Sequence, residues 1–269
     1  MEIVLSIFPG IDLLGRGFEA EGFAVVRGPD LIFGQDVRGF HVPPGKFAGV
    51  IGGPPCQDFS AARRAEPSGY GVEMLAEFTR VVPEAAPDWW LLENVPRVPD
   101  VQIAGYAVQR IDIDAREAGL AQRRRRHFQF GHRGGQGPLV IHRALTFGAV
   151  SQPTCLAVEG SQAERRSWPD FCELQGLPRD FDLPGWPVAL KYRAVGNGVP
   201  VPVARMIARA IAQQRDLTRL LHAGGVTPRV CACGCARPVF GQQKAALAAC
   251  RKRLERRRKQ ADGTISCVV

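Results

Sequence analysis

No apolar stretch of this chain approaches the roughly eighteen residues that a membrane-crossing helix needs, so a spanning segment is not expected. The first ten residues, MEIVLSIFPG, lack the basic segment of a secretory leader and run straight into a strand pattern, so a cytoplasmic protein is the expectation. In that compartment the eight cysteines are not expected to form a disulfide framework, which leaves catalytic, metal-binding or structural thiols. No internal repeat is visible. Acids are also in short supply: 26 Asp and Glu face 35 Lys and Arg, a formal charge of +9. The excess is concentrated. Residues 251–259 (RKRLERRRK) carry seven bases and one acid, a net +6, and Arg123–Arg126 form a second basic block. Two such segments suit a polyanion such as nucleic acid.

At 269 residues the chain is long enough for one large α/β domain, or a domain with a small appendage. Glu2–Phe8 reads as a first strand, then a turn at Pro9-Gly10 and a helix from about Asp12 to Gly22. Phe23–Val26, Lys46–Ile51, Trp89–Leu92, Tyr106–Ile113 and His127–Phe130 read as further strands, with a helix near Val72–Val82. Strands alternating with helices predict a mostly parallel sheet covered on both faces. Residues 131–164 are rich in Gly, Ser and Gln and read as loop; Pro202–Leu221 reads as a long helix, broken by Gly224-Gly225 before a cysteine-rich basic tail.

Three short segments carry chemistry. Gly53-Pro54-Pro55-Cys56-Gln57 ends an apolar strand on a stiff loop, which presents Cys56 at the carboxyl end of the sheet, where open α/β folds place reactive groups. Glu93-Asn94-Val95 follows the strand Trp89–Leu92; an acid beside an apolar wall has its ionised form disfavoured and can hold a proton near neutral pH. Phe8-Pro9-Gly10 is a strand-to-helix turn that lets backbone approach a small ligand, and Asp30 and Asp36 end later segments, where a carboxylate can accept from a ribose or an amino group.

In order, FPG, GGPPCQDFS, ENV, QRRRR, RSWPDFCE (Arg166–Glu173) and GNGVP (Gly196–Pro200) resemble the motifs of the cytosine-5 DNA methyltransferase family, over about Ser6–Ile211. The resemblance implies a Rossmann-like S-adenosylmethionine-dependent methyltransferase sheet with helices on both faces. It divides the chain into a catalytic and cofactor core at 1–130, a short recognition region at 131–165, final motifs returning to the core at 166–221, and the extension 222–269. Cys56 is then the covalent nucleophile, favoured as a thiolate by arginine charge; Glu93 neutralises charge building on N3 of cytosine; Arg124 and Arg126 hold the base or an adjacent phosphate. Phe8, Gly10, Ile11, Leu13, Asp30, Asp36, Pro55 and Asn197 are the implied contacts to S-adenosylmethionine. Double-stranded DNA is the implied partner, touched by Gln57, Ser60, Arg123, Arg125, Arg251 and Arg253, with Gln57, Ser60 or Arg63 bracing the gap left by an extruded base. The protein is expected to act as a monomer in a bacterial or phage-infected cell, alongside a cognate restriction endonuclease.

Three features depart from that family pattern. Asp12-Leu13 stands where a Gly-Gly pair is usual, only Asp30 is available as the acid after the second strand, and the recognition region spans about forty residues. In the tail, Cys231, Cys233, Cys235 and Cys250 are four thiols able to make a tetrahedral zinc site, although their spacing lacks the usual C-x-x-C knuckle. The rival activities are a tRNA-directed relative, whose Cys-Phe-Thr signature is absent, and an exocyclic-amine methyltransferase, whose Pro-Pro pair precedes an aromatic rather than Cys56. A third alternative is a nucleic-acid-binding protein with a decayed core.

Overall fold

The computed structural model describes residues 1–60, 66–133, 138–144, 151–223, 229–232, 238–239 and 248–263. A six-stranded sheet organises them in the order β2-β1-β3-β4-β6-β5. Its strands are β1 (Ile3–Ile7), β2 (Ala24–Arg27), β3 (Gly49–Gly52), β4 (Trp89–Asn94), β5 (Tyr106–Asp114) and β6 (Arg125–Arg133). The first four run parallel, and β6 pairs antiparallel with both β4 and β5. The sheet is mostly parallel, as expected: β5 runs with the first four strands, and β6 alone is reversed, inserted between β4 and β5. The chain leaves β1 toward β2 on one side and β3 on the other, and the crevice at such a switch point is where ligands bind.

The tandem tryptophans of β4 anchor both faces. Successive strand residues point to opposite sides, so Trp89 joins one core cluster and Trp90 the other. On the Trp89 side lie α1 (Leu13–Glu19) and α5 (Val201–Ala223), whose Val203, Ala204, Ile207, Ala208 and Ile211 recur at helical spacing and are buried. The helices approach closely because residue 17 is glycine; a Cβ there would lie 2.3 Å from that of Ala204. On the Trp90 side lies α2 (Tyr70–Ala85), burying Met74, Leu75, Phe78, Val81, Val82 and Ala85. A third cluster packs α3 (Trp168–Leu174) and α4 (Val188–Asn197) through Phe171, Cys172, Tyr192 and Val195.

Asp12 shapes the first turn. It caps α1 from the left-handed region (φ 56°), accepting from Gly15 N and Ser6 Oγ at 2.9 Å each and pairing with Arg27 Nε at 3.0 Å. Burial pushes its carboxyl up in pKa, and the bonds from Gly15 and Ser6 pull the other way. The carboxylate fills the space that a side chain at Gly15 would occupy, 2.1 Å from an added Cβ, so the two residues are sterically coupled.

Among the described residues the 138–165 region contains one short 3-10 turn, Glu159–Ser161. The tail contributes a two-residue pair, β7 (Arg229–Val230) with β8 (Pro238–Val239), and helix α6 (Ala248–Gly263). No helix among the described residues is long and apolar enough to cross a membrane.

Two glycines seat the indoles: a Cβ at Gly49 would lie 2.2 Å from the Trp89 ring, and one at Gly131 2.1 Å from that of Trp90. Gly131→Ala is therefore expected to cost about 1–3 kcal/mol through overpacking. Gly39→Ala, where nothing lies within 4 Å of the added atom, should stay within about 0.5 kcal/mol. Denaturant unfolding of the two variants measures the difference.

Candidate active site

β3 is buried along its length and stops at Gly52, because the prolines at 54 and 55 have no N–H to extend a ladder. Parallel register sets Gly52 opposite Leu92, so Gly53 comes abreast of Glu93. The approach is tight: a Cβ at Gly53 would lie 2.9 Å from Glu93 Oε2. Asn94, buried at the end of β4, donates from Nδ2 to Pro54 O (3.0 Å) and accepts from Val95 N through Oδ1 (2.8 Å). It clamps the turn that carries Cys56. Glu93 and Asn94 lie within β4 rather than after it, so their placement is set by a strand and not by a loop.

Glu93 is 8% exposed and forms an ion pair with Arg126, Nε to Oε1, at 3.1 Å. Burial pushes its carboxyl above the usual range, opposed by the charges of Arg126 and Arg124. The half-buried Cys56 feels the same groups. Burial raises its pKa first and the Glu93 charge raises it further, while Arg126 and Arg124 only partly offset them. The expectation of an arginine-favoured thiolate is thereby corrected: in the free protein the balance favours the protonated thiol.

The basic block divides by strand parity. Arg123 and Arg125 are exposed, Arg125 pairing with Asp112 at 3.2 Å, whereas Gln122, Arg124 and Arg126 turn inward. Arg124 was expected to grip the base or a phosphate and does not have that freedom. It is 4% exposed, and its terminal nitrogens donate to Cys155 O (2.9 Å), Gly196 O (2.6 Å), Gly198 O (3.0 Å) and Thr154 Oγ1 (3.3 Å). Desolvation brings its pKa down to about 9. Gln122 is likewise internal, donating to Gln175 Oε1 at 2.9 Å and accepting from Cys155 N at 3.2 Å.

On the other side of the crevice the backbone alternates into the left-handed region at Phe8, Gly10 and Asp12, a strained pattern typical of ligand-binding turns. Asp30 reaches back to this loop, taking Gly10 N on Oδ2 (2.8 Å) and Ile32 N on Oδ1 (2.9 Å). Asp36 is exposed and accepts from Arg38. Leu31, Ile32 and Phe33, directly after Asp30, form an exposed apolar triplet. Carboxylates for ribose hydroxyls beside an apolar surface for a purine fit S-adenosylmethionine. A Cβ at Gly10 would touch nothing within 4 Å, so backbone there is open to a ligand. Asp12 does not put its charge into this opening, since its carboxylate is folded under α1. Ile11 and Pro55 are half-buried and Asn197 is exposed at the end of α4. Leu13 differs from expectation: it is 1% exposed and packs in the third cluster, so it supports the loop from below and is not a surface for cofactor. The sequence reading passed over Ser6 and Arg27; the signal available was an acid at residue 12, which once buried requires partners.

Gln57 is exposed and Ser60 half-buried beside Cys56, while Arg63 lies outside the described residues. In the tail Arg251 and Arg253 are exposed on α6. Cys231 and Cys250 are buried together with Val239, against Leu254. Cys233 and Cys235 lie outside the described residues, and among the described ones no group of three or more His, Cys, Asp or Glu can hold a metal ion.

The chain is 34% identical over 96 residues to the Type II methyltransferase M.HgiDI of Herpetosiphon aurantiacus, covering 32% of this chain and 31% of that one. It is 28% identical over 170 residues to the Type II methyltransferase M.AgeI of Thalassovita gelatinovora, covering 49% and 40%. The matches thus span less than half the length of these curated relatives. Among solved structures, the Entamoeba histolytica methyltransferase EhMeth superposes with a TM-score of 0.61 at 13% identity, covering 80% of this chain and 98% of that one. The S. pombe Dnmt2 methyltransferase gives 0.54 at 11%, covering 81% and 99%. These two likenesses are of fold. Residues 34–152 and 162–213, well over half of the chain, match the profile described as C-5 cytosine-specific DNA methylase, and the chain belongs to that family.

Proposed function

We propose that the protein transfers a methyl group from S-adenosylmethionine to carbon 5 of cytosine in duplex DNA. The observation that carries this reading is the meeting of three groups at adjacent strand ends: Cys56 on its clamped turn, Glu93 abreast of Gly53, and Arg126 paired to Glu93. Carbon 5 of cytosine is a poor nucleophile. Cys56 first gives its thiol proton to water or a base in the site; addition of the sulfur to carbon 6 then makes the ring enamine-like, provided the negative charge reaching N3 is met by a proton. Glu93, whose buried carboxyl is biased toward its protonated form, supplies that proton. Arg126 is placed to orient both the carboxyl and the carbonyl edge of the base. S-adenosylmethionine, when bound, would supply the methyl group as an electrophile on a sulfonium, and the neutral thioether would be its leaving group as carbon 5 takes the methyl. Loss of the carbon-5 proton to a base in the site then lets the bond from Cys56 to carbon 6 break, restoring the ring. The target base is inaccessible in a stacked duplex and must be extruded, at a cost of a few kcal/mol recovered through backbone contacts.

We read residues 131–165 as an abbreviated recognition region and the exposed Arg251 and Arg253 of α6 as contacts to the DNA backbone; the net +6 of residues 251–259 supports this. The Type II names of the curated relatives support a cytoplasmic restriction-modification setting. Zinc held by the tail thiols is the finer reading for Cys231 and Cys250, which are buried together against Leu254.

Purified protein with labelled S-adenosylmethionine should methylate duplex DNA at cytosine carbon 5. Cys56→Ala should abolish transfer, and Glu93→Gln should slow it by about 10²–10⁴-fold; transfer to tRNA but not DNA would replace this reading. The reactivity of Cys56 offers a second check. Only the thiolate is alkylated, so its labelling by iodoacetamide between about pH 7 and 10 should rise later than that of an ordinary thiol. Glu93→Gln removes the negative charge that Glu93 carries when ionised, and should speed labelling at the alkaline end of that range, as read by peptide mass spectrometry. For the tail, metal analysis should find about one zinc per chain that is lost in Cys231→Ser together with Cys250→Ser.

A further inference from the structure

Helix α2 begins without a side-chain cap of its own: its N-cap is Gly69. The first N–H groups of a helix have no partner within it. Here they are met from outside by Asp58, two residues after the nucleophile. Asp58 Oδ2 accepts from Gly71 N at 2.6 Å, and Oδ1 accepts from Ser68 N at 2.9 Å and from Ser68 Oγ at 3.3 Å. The Val72 amide also favours the ionised form of the same carboxylate. Burial alone would push the Asp58 carboxyl up, but these amide bonds hold it below the usual range, so it is ionised at neutral pH.

The contact is reinforced sterically. A Cβ at Gly71 would lie 2.9 Å from Pro55 O and 3.1 Å from Asp58 Oδ2, so the nucleophile turn sits directly on the backbone of α2. Between these contacts Phe59 N donates to Cys56 O at 3.0 Å, and Phe59 packs against the core cluster that contains Phe78 and Trp90. Cys56 is thus bounded by Pro54, held by Asn94, on one side and by Asp58, held by α2, on the other.

We infer that Asp58 is a positioning residue for the reaction: its carboxylate fastens the turn bearing Cys56 to the N-terminus of α2 and so fixes where the sulfur meets the base. A carboxylate suits the task better than an amide, because it accepts on both oxygens and its charge complements the positive end of the helix. The inference rests on the cytosine-5 methyltransferase reading for its catalytic consequence, but the geometric part can be read without turnover.

The test compares wild-type protein, Asp58→Ala, Asp58→Asn and Gly71→Ala in the full chain. Asp58→Ala should lower kcat on duplex DNA by about ten- to a hundredfold, the scale of a displaced reacting group, while the affinity for S-adenosylmethionine is unchanged. Asp58→Asn, which keeps one accepting oxygen, should fall between wild type and Asp58→Ala. Gly71→Ala, which pushes on the turn from the helix side, should reproduce the loss with Asp58 intact. Independently of turnover, the rate of Cys56 alkylation should change severalfold in Asp58→Ala while that of the buried Cys155 and Cys172 does not. Unchanged kcat and unchanged Cys56 labelling in a folded Asp58→Ala protein would overturn the inference. Should that variant not fold, the same two readings on Asp58→Asn decide it. Wild-type protein that transfers no methyl group to cytosine would instead count against the proposed function, and the labelling comparison would still judge Asp58.

Discussion

The guanidinium of Arg124 is taken out of water, and three separate stretches of chain are arranged around it. The strand entry at residue 124, the segment at Thr154 and Cys155, and the end of α4 at Gly196 and Gly198 all meet through its terminal nitrogens. Burying a charge is costly unless its donors are answered; here three carbonyl oxygens and the Thr154 hydroxyl answer the terminal nitrogens, while Nε has no partner among the described residues. Even with its pKa brought down to about 9 the group stays charged at neutral pH. Its field therefore reaches Glu93 and Cys56, and is among the influences that draw both toward ionisation. Arg126, two residues on and likewise turned inward, is the one that pairs with Glu93. One arginine organises the scaffold; the next serves the site.

Glu93 owes its position to the strand before it. Trp89 and Trp90 lock β4 between two layers, each ring lying over a glycine on a neighbouring strand. With that register fixed, the last residues of β4 emerge beside the turn after β3, and Asn94 ties the two together. Glu93 is held by the core of the sheet, Cys56 by a turn, and the bond from Asn94 Nδ2 to Pro54 O joins them.

Much of this was legible in the sequence because it depends on local chemistry. The glycine and prolines at 52–55 require the chain to leave its strand, and WWLL is too apolar to be elsewhere than inside; both placed Cys56 and Glu93 correctly at strand ends. The reversal of β6 was not legible, because its insertion between β4 and β5 depends on pairing with β4, whose residues are distant in sequence. Nor was the contrast between Arg124 and Arg126, since four consecutive arginines look alike until strand parity and burial separate them. The thiolate expectation for Cys56 failed for a related reason: counting nearby cations omits the cost of burial and the charge of Glu93, which together outweigh them. Leu13 and Asp12 occupy places expected to line a cofactor turn, yet one is core and the other a buried cap.

Leu13 also touches the far end of the catalytic region, for a Cβ at Gly198 would lie 2.7 Å from its Cδ1. The opening turn of the chain thus rests on a segment made almost two hundred residues later. During synthesis the first strands and α1 leave the ribosome long before their support exists. A ribosome-bound fragment ending ahead of α4 would carry every group of the nucleophile turn and still lack the floor beneath its first loop. Competence should then arrive late and in one step, as the closing helices settle.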